Sequence, residues 1–216
     1  MILGRTLWVG ALVVGSLQLS GQTWEELNQN CSAFAADLGS NFQRKELNVS
    51  TLRLGGLNLD DAAQWSQVEL VEKTKRANNL GNKVKFSVTL TAVHYASVED
   101  RDWAVKNWLK SFLGPTAVRP GRDTKSVPEA PPGIVVINDQ SILLLTLPCA
   151  QYDAQAFREW RAKMAKYFST ETTVIVDLDG CEGPLIWTKN APDPKDRRWK
   201  YGRRVPPPTP TTWLRW

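Results

Sequence analysis

Few residues in the chain have types and spacings that could perform chemistry. His94, the single histidine, ends the apolar side of an alternating strand pattern, a place typical of a hydrogen-bonded core or edge histidine. Asp177 and Asp179 end an apolar run, and Cys181 follows them. Carboxylates and a thiol at the end of a buried strand could supply an acid, a base or a nucleophile. One histidine and an oxidised cysteine pair do not make a zinc site, and no glycine-rich phosphate loop is present, so we expect no cofactor and no metal.

One resemblance involves residues 173–180, with the sequence TVIVDLDG. This stretch resembles the first motif of haloacid-dehalogenase-like phosphatases. The resemblance implies that Asp177 is a nucleophile, that Asp179 is an acid or base, and that Mg²⁺ offsets the phosphate charge. The chain departs from that family in two ways. Cys181 replaces the usual threonine, and only 36 residues follow Gly180, where the family's remaining motifs need a long Rossmann-like domain.

A second resemblance, to trypsin-like proteases, is carried by three short stretches. The family's histidine motif resembles residues 90–94 (LTAVH). Its aspartate motif resembles residues 139–144 (DQSILL), and its nucleophile loop resembles residues 180–185 (GCEGPL). The resemblance implies that His94 is the base, Asp139 its orienting group and Cys181 the nucleophile. Glu182 stands where that family has glycine, which would disturb the oxyanion hole. The helix pattern between Asp139 and Cys181 also leaves no room for most of a second β-barrel.

The first 21 residues have the order of basic, apolar and small residues that is typical of a secretory signal. Arg5 precedes the apolar run Thr6–Val14, and the small residues Ser20 and Gly21 close the segment. The run is shorter than the roughly 20 apolar residues that a spanning helix needs. The sequence therefore predicts an exported protein, periplasmic or extracellular. An uncleaved segment that anchors the chain at a membrane is the alternative.

The cysteines predict a disulfide in such a compartment, where two of the three should pair. Cys149 follows the apolar run Ile142–Leu147, and Cys181 follows Thr173–Leu178. If these runs are neighbouring parallel strands, both thiols lie at the same end of the sheet. We therefore predict a Cys149–Cys181 bridge. Cys31 is then either buried in a helix or free for an intermolecular bond.

Helix and strand patterns alternate along the chain and predict an α+β fold with mixed sheets. The predicted helices cover residues 23–38, 60–77, 97–113 and 153–168, and the predicted strands cover residues 51–57, 83–96, 134–137, 142–147 and 173–178. Alternation in residues 83–96 predicts a strand with one wet face. Prolines in residues 115–133 indicate a linker or long loop. It would separate a block at 22–114 from a second block at 134–187, which could belong to the same domain.

Residues 188–216 form a tail of different composition. The tail holds eight basic and two acidic side chains, a charge of +6, whereas the whole chain carries +5. The first 187 residues therefore carry −1. Aromatic residues alternate with these charges, and a proline run favours an extended conformation. The predicted contact residues are Lys195, Arg197, Arg198, Trp199, Lys200, Tyr201, Arg203, Arg204 and Trp213.

Three interpretations of the tail stay open. It could bind an anionic glycan or lipid headgroup, dock onto a partner protein, or wrap around the body with Trp199 and Trp213 buried. Nucleic acid fits the same chemistry but not the predicted compartment. We predict an exported, non-catalytic binding or assembly component of the cell envelope or extracellular surface. The alternative is a secreted hydrolase that uses Asp177 and Asp179, or a His94–Cys181 pair.

Overall fold

The protein is a three-helix, nine-strand α+β structure in the part that the computed structural model describes, which is residues 22–47, 61–78, 81–113, 131–179, 181, 183–193 and 195. The helices are α1 (Trp24–Asp37), α2 (Val98–Leu113) and α3 (Ala154–Phe168), with a short 3-10 helix at Cys149–Gln151. The strands are β1 (Phe42–Glu46), β2 (Ala62–Glu72), β3 (Arg76–Ala77), β4 (Lys83–Val84), β5 (Ser87–Tyr95), β6 (Gly133–Ile137), β7 (Ser141–Thr146), β8 (Val174–Leu178) and β9 (Leu185–Lys189). The predicted α+β class is confirmed. The predicted signal segment, the strand at 51–57 and most of the 115–133 linker lie outside the described residues.

Seven strands form one sheet in the order β1-β2-β5-β7-β6-β8-β9. Every neighbouring pair in it is antiparallel, and β3 and β4 form a separate antiparallel ribbon. The sequence predicted mixed sheets, and this prediction is wrong for the described strands, which are all antiparallel to their neighbours. Because β5 pairs with β7, strands from before and after residues 115–133 belong to the same sheet.

Helices cover both faces of this sheet. Helices α1 and α3 pack on one face, where Leu27 and Met164 meet side chains such as Leu90 and Leu143. Helix α2 packs on the other face through residues such as Trp108. Burial on two sides explains why β6 is apolar and buried at all five positions.

The expectation of a wet face on β5 is wrong for the same reason. Thr91 and Val93 are each 1 % exposed, and Tyr95 is fully buried. These side chains lie on the face opposite to Leu90, where α2 or a neighbouring strand covers them. On this face Ser87 and Thr89, at the start of β5, are half-exposed.

The helix predicted over residues 60–77 is also wrong, because this segment forms β2. The spacing of Trp65, Val68 and Val71 suits a helix, but burial alternates through Val68, Leu70 and Glu72. Pairing with β1 on one side and β5 on the other stabilises the extended form. Tertiary pairing thus overrides the local periodicity.

The other predicted helices are confirmed, and side chains cap the start of two of them. Thr23 and Glu26 form a capping box, with the Thr23 amide donating to Glu26 Oε2 at 2.9 Å and the Glu26 amide donating to Thr23 Oγ1 at 3.2 Å. Gly39, at φ +93°, follows the end of α1. Asp153 caps α3 by accepting from the Ala156 amide at 2.7 Å.

Candidate functional site

The predicted Cys149–Cys181 disulfide is present, with Cα atoms 5.4 Å apart. Strands β7 and β8, which precede the two cysteines, run in the same direction because both are antiparallel to β6. The sequence argument assumed that these two strands are neighbours. They are not, because β6 lies between them. Cys31 is buried in α1, and burial raises the pKa of its thiol to about 12. That environment is typical of a structural thiol and not of a reactive one.

Asp177 is a buried carboxylate on β8 that faces α3. Its Oδ2 lies 3.0 Å from Arg161 Nε, and its Oδ1 has no hydrogen-bond partner within the described chain. Burial raises the pKa of Asp177 to about 6, although the Arg161 charge opposes this shift. Such a group could exchange a proton near neutral pH, but its side chain is only 8 % exposed.

Asp179 lies beyond the end of β8 and is exposed. It accepts a hydrogen bond from the Tyr152 hydroxyl. Burial, followed by this bond, raises the pKa of Tyr152 to about 12. Tyr152 follows the segment that contains Cys149, and Asp179 precedes Cys181. The disulfide and the Tyr152–Asp179 bond therefore join the same two segments.

His94 lies near the opposite end of the sheet as a hydrogen-bonded edge residue. Its Nδ1 is 2.9 Å from Ser141 Oγ, and its ring centroid is 6.3 Å from a ring of Trp24. Burial lowers the pKa of His94, while the Glu25 charge opposes this shift. Ser141 is 1 % exposed, whereas His94 is half-exposed.

The candidate catalytic residues of the two resemblances do not form one site, because they lie at both ends of the sheet. Strand register aligns Asp177 with Leu90 of β5, four positions before His94. His94 is therefore roughly 13 Å away along the strands and about 14 Å across them. Asp139 is exposed in the turn at the His94 end. Cys181 lies at the other end, within the disulfide.

The structure reveals a buried polar cluster at Asn138 that the sequence analysis missed. Asn138 Nδ2 donates to the Phe168 carbonyl at 2.8 Å, and Asn138 Oδ1 accepts from Thr173 Oγ1 at 2.6 Å. The Arg101 guanidinium donates to the Asn138 carbonyl. One turn residue thus joins the end of α3, the start of β8 and α2. The sequence signalled the turn, but not these partners.

Two clefts flank this turn. One has a volume of about 550 Å³ and is lined in part by Arg101, Asp139, Asn190 and Asp193. The other has about 360 Å³ and includes Glu26 and Asp139. Their exposed charges are acidic, and Arg101 is already engaged by Asp102 Oδ1, 3.0 Å from its Nε. Within the described ranges no three His, Cys, Asp or Glu side chains cluster as a metal site.

The beginning of the predicted tail packs on the body. Residues 188 and 189 belong to β9. Lys189 Nζ donates to the Thr170 carbonyl at 2.8 Å, and Asn190 Nδ2 donates to the Thr173 carbonyl at 2.9 Å. Of the predicted contact residues, Lys195 is described and exposed. The others lie outside the described residues: Arg197, Arg198, Trp199, Lys200, Tyr201, Arg203, Arg204 and Trp213.

Comparisons with known proteins add no relative. A scan against protein-family models, a search of curated proteins and a search of solved structures each find no match. A search of the described helices finds none with the length and apolar character needed to cross a bilayer. Inference about function therefore depends on the residues of this chain.

Proposed function

We propose that the protein is an exported, non-catalytic binding or assembly component of the cell envelope or extracellular surface. Its tail contacts an anionic surface or partner. The observation that carries this proposal is the division of charge, since residues 188–216 hold +6 in a chain of +5. Arginine and lysine attract anionic headgroups or glycans, and tryptophan rings suit the boundary of a membrane.

The disulfide supports the proposed compartment. Disulfides persist in oxidising environments and are rare in the cytosol, and the Cys149–Cys181 bridge is compatible with export. The segment that carries Cys149 has no buried residue of its own, and the bond joins it to the end of β8.

The contacts of the reactive side chains support a non-catalytic role. Cys181 is held in the disulfide, and Asp179 accepts from Tyr152. Asp177 pairs with Arg161, while His94 pairs with a buried serine. Each candidate nucleophile, acid or base thus has a structural contact.

The test is deletion of residues 196–216, which keeps β9 and the Asn190 contacts intact. We expect the shortened chain to lose binding to envelope fragments in a salt-titrated pull-down, with unchanged circular dichroism. A matched full-length variant replaces Arg197, Arg198, Lys200, Arg203 and Arg204 with glutamine. It should lose most of the binding, because it lacks the charges and keeps the aromatic rings. A shortened chain that binds as well as the full chain would refute the proposal.

The second candidate is the secreted hydrolase that uses Asp177 and Asp179. The observation that favours it is the pKa of Asp177, raised to about 6. It predicts hydrolysis of an aryl phosphate by the full chain with Mg²⁺, lost in Asp177→Asn without loss of stability. The leading proposal predicts no turnover by either protein.

A further inference from the structure

A second concentration of positive charge lies within the described body. Residues 73–78 and 81–85, which we call the basic ribbon, include β3 and β4 and connect β2 with β5. They contain five basic residues and no acidic one: Lys73, Lys75, Arg76, Lys83 and Lys85. All five are exposed. The charge of −1 summed over residues 1–187 conceals this local excess.

Contacts within the ribbon hold its backbone in place. The Asn78 amide donates to the Asn82 carbonyl at 2.9 Å, and the Asn82 amide donates to Asn78 Oδ1 at 2.9 Å. The Arg76 guanidinium lies 3.6 Å from the centroid of the buried Phe86 ring and pairs with Glu72 at 3.2 Å. The ribbon is therefore an ordered element, and its arginine is engaged.

The ribbon is attached to the disulfide end of the sheet. Asn78 Nδ2 donates to the Ala150 carbonyl at 3.3 Å, and the Ser87 amide donates to Gln151 Oε1 at 2.7 Å. On its other side the Lys73 amide donates to the Asn41 carbonyl at 2.8 Å. The backbone of the ribbon consequently has a fixed position relative to the body.

The four ribbon lysines form no ion pair with any residue in the described ranges. In contrast, Lys45 pairs with Glu69, and both Lys163 and Lys166 pair with Asp37. Like charges on one short ribbon repel one another, and an anionic partner would relieve that repulsion.

We propose that the basic ribbon binds an anionic lipid bilayer and is a second contact in addition to the tail. This inference rests on the proposed envelope function. Lysine is a compact point charge that suits laterally mobile headgroups, whereas bidentate recognition of a single phosphate uses a free arginine. Arg76 is occupied by Glu72 and Phe86. The ribbon has no aromatic residue on which a nucleobase could stack.

The test measures the partition of the full chain onto vesicles of phosphatidylglycerol and phosphatidylcholine, and onto phosphatidylcholine alone. The ribbon variant is Lys75→Gln/Lys83→Gln. The matched control is Lys106→Gln/Arg158→Gln, which removes the same two charges from α2 and α3. Each lysine near an anionic bilayer raises the partition coefficient about fivefold. We expect the ribbon variant to lose about 25-fold and the control less than about threefold, with equal thermal stability.

Equal partition of the ribbon and control variants would overturn the inference, as would absence of wild-type binding to anionic vesicles. Ribbon-dependent binding to heparin that exceeds binding to vesicles would overturn the assignment of lipid. A parallel arm with residues 196–216 deleted separates the two proposals. If only the deletion reduces binding, the tail proposal stands and the ribbon inference fails. If only the ribbon variant reduces binding, the ribbon inference stands and the tail is not the lipid contact, while the tail proposal is decided by the pull-down with envelope fragments.

Discussion

The two ends of the sheet are held together by different chemistry. At one end the Cys149–Cys181 disulfide joins segments that bury little, and residues 149–151 have no buried member. At the other end the described chain has no disulfide. There Asn138, Thr173 and Phe168 are each at most 5 % exposed and are joined by hydrogen bonds. A loop with little burial thus relies on a covalent bond, whereas a buried turn relies on polar pairing.

The largest effect should come from removing the disulfide. Cys149→Ala/Cys181→Ala frees a loop with a sequence separation of 32 residues. The free energy of unfolding should fall by about 3 to 4 kcal/mol, because the unfolded chain regains the entropy of that loop. Denaturant titration of the oxidised wild type and the double variant measures this loss. A fall below about 1 kcal/mol would show that the poorly buried end holds itself together without the disulfide.

Asn138→Ala should produce the second-largest effect, at the opposite end. The Phe168 carbonyl and the Thr173 hydroxyl would each lose a buried partner, which we expect to lower the free energy of unfolding by about 2 to 3 kcal/mol. Asp139→Ala is the matched control, since Asp139 is the exposed neighbour in the same turn. Equal denaturation midpoints for the two variants would contradict a role for the buried hydrogen bonds.

Local signals in the sequence were sufficient for the elements that depend on near neighbours. The helix predicted over residues 23–38 is found as α1, and the strands predicted at 134–137 and 142–147 are found as the paired strands β6 and β7. Local signals failed for residues 62–72, because that strand is selected by pairing with β1 and β5. The mixed sheet was wrong for a similar reason, since strand direction follows from partners distant in sequence.

The polar sites followed the same division. The disulfide could be predicted because compartment and strand ends restrict the pairing of Cys149 and Cys181. The Asn138 cluster could not, because its partners Phe168 and Thr173 come 30 and 35 residues later. The basic ribbon was missed because acidic residues elsewhere cancel its charge in the sum. The fold shows that these lysines form no ion pair with the described acidic residues.

The free energy of unfolding of Asp177→Asn should differ from that of the wild type in a way that depends on pH. The folded pKa of about 6 lies above the ordinary value of 3.8, so the folded state favours the protonated carboxyl. The stabilisation is complete below pH 3.8 and is lost as the pH rises through about 6. Above that pH the asparagine variant should be the more stable protein by up to about 3 kcal/mol.

The measurement is the free energy of unfolding of both proteins across this range of pH. The difference should vanish at the acidic end, where the carboxyl group is neutral in both states. Asp139→Asn, at an exposed position of the other end, should show no comparable dependence. A wild type that gains stability relative to Asp177→Asn as the pH rises would contradict the sign of this shift and would indicate that the Arg161 ion pair dominates.

The central claim is that the charged residues of the tail, and not the folded body, carry the proposed binding. The salt dependence of binding tests this claim most directly. The affinity of the full chain for envelope fragments is measured across ionic strength, beside the variant with Arg197, Arg198, Lys200, Arg203 and Arg204 replaced by glutamine. We predict a steep fall in affinity with salt for the wild type, because exposed charges are screened, and a shallow fall for the variant. Affinities that are equal for the two proteins and independent of salt would contradict the proposed function.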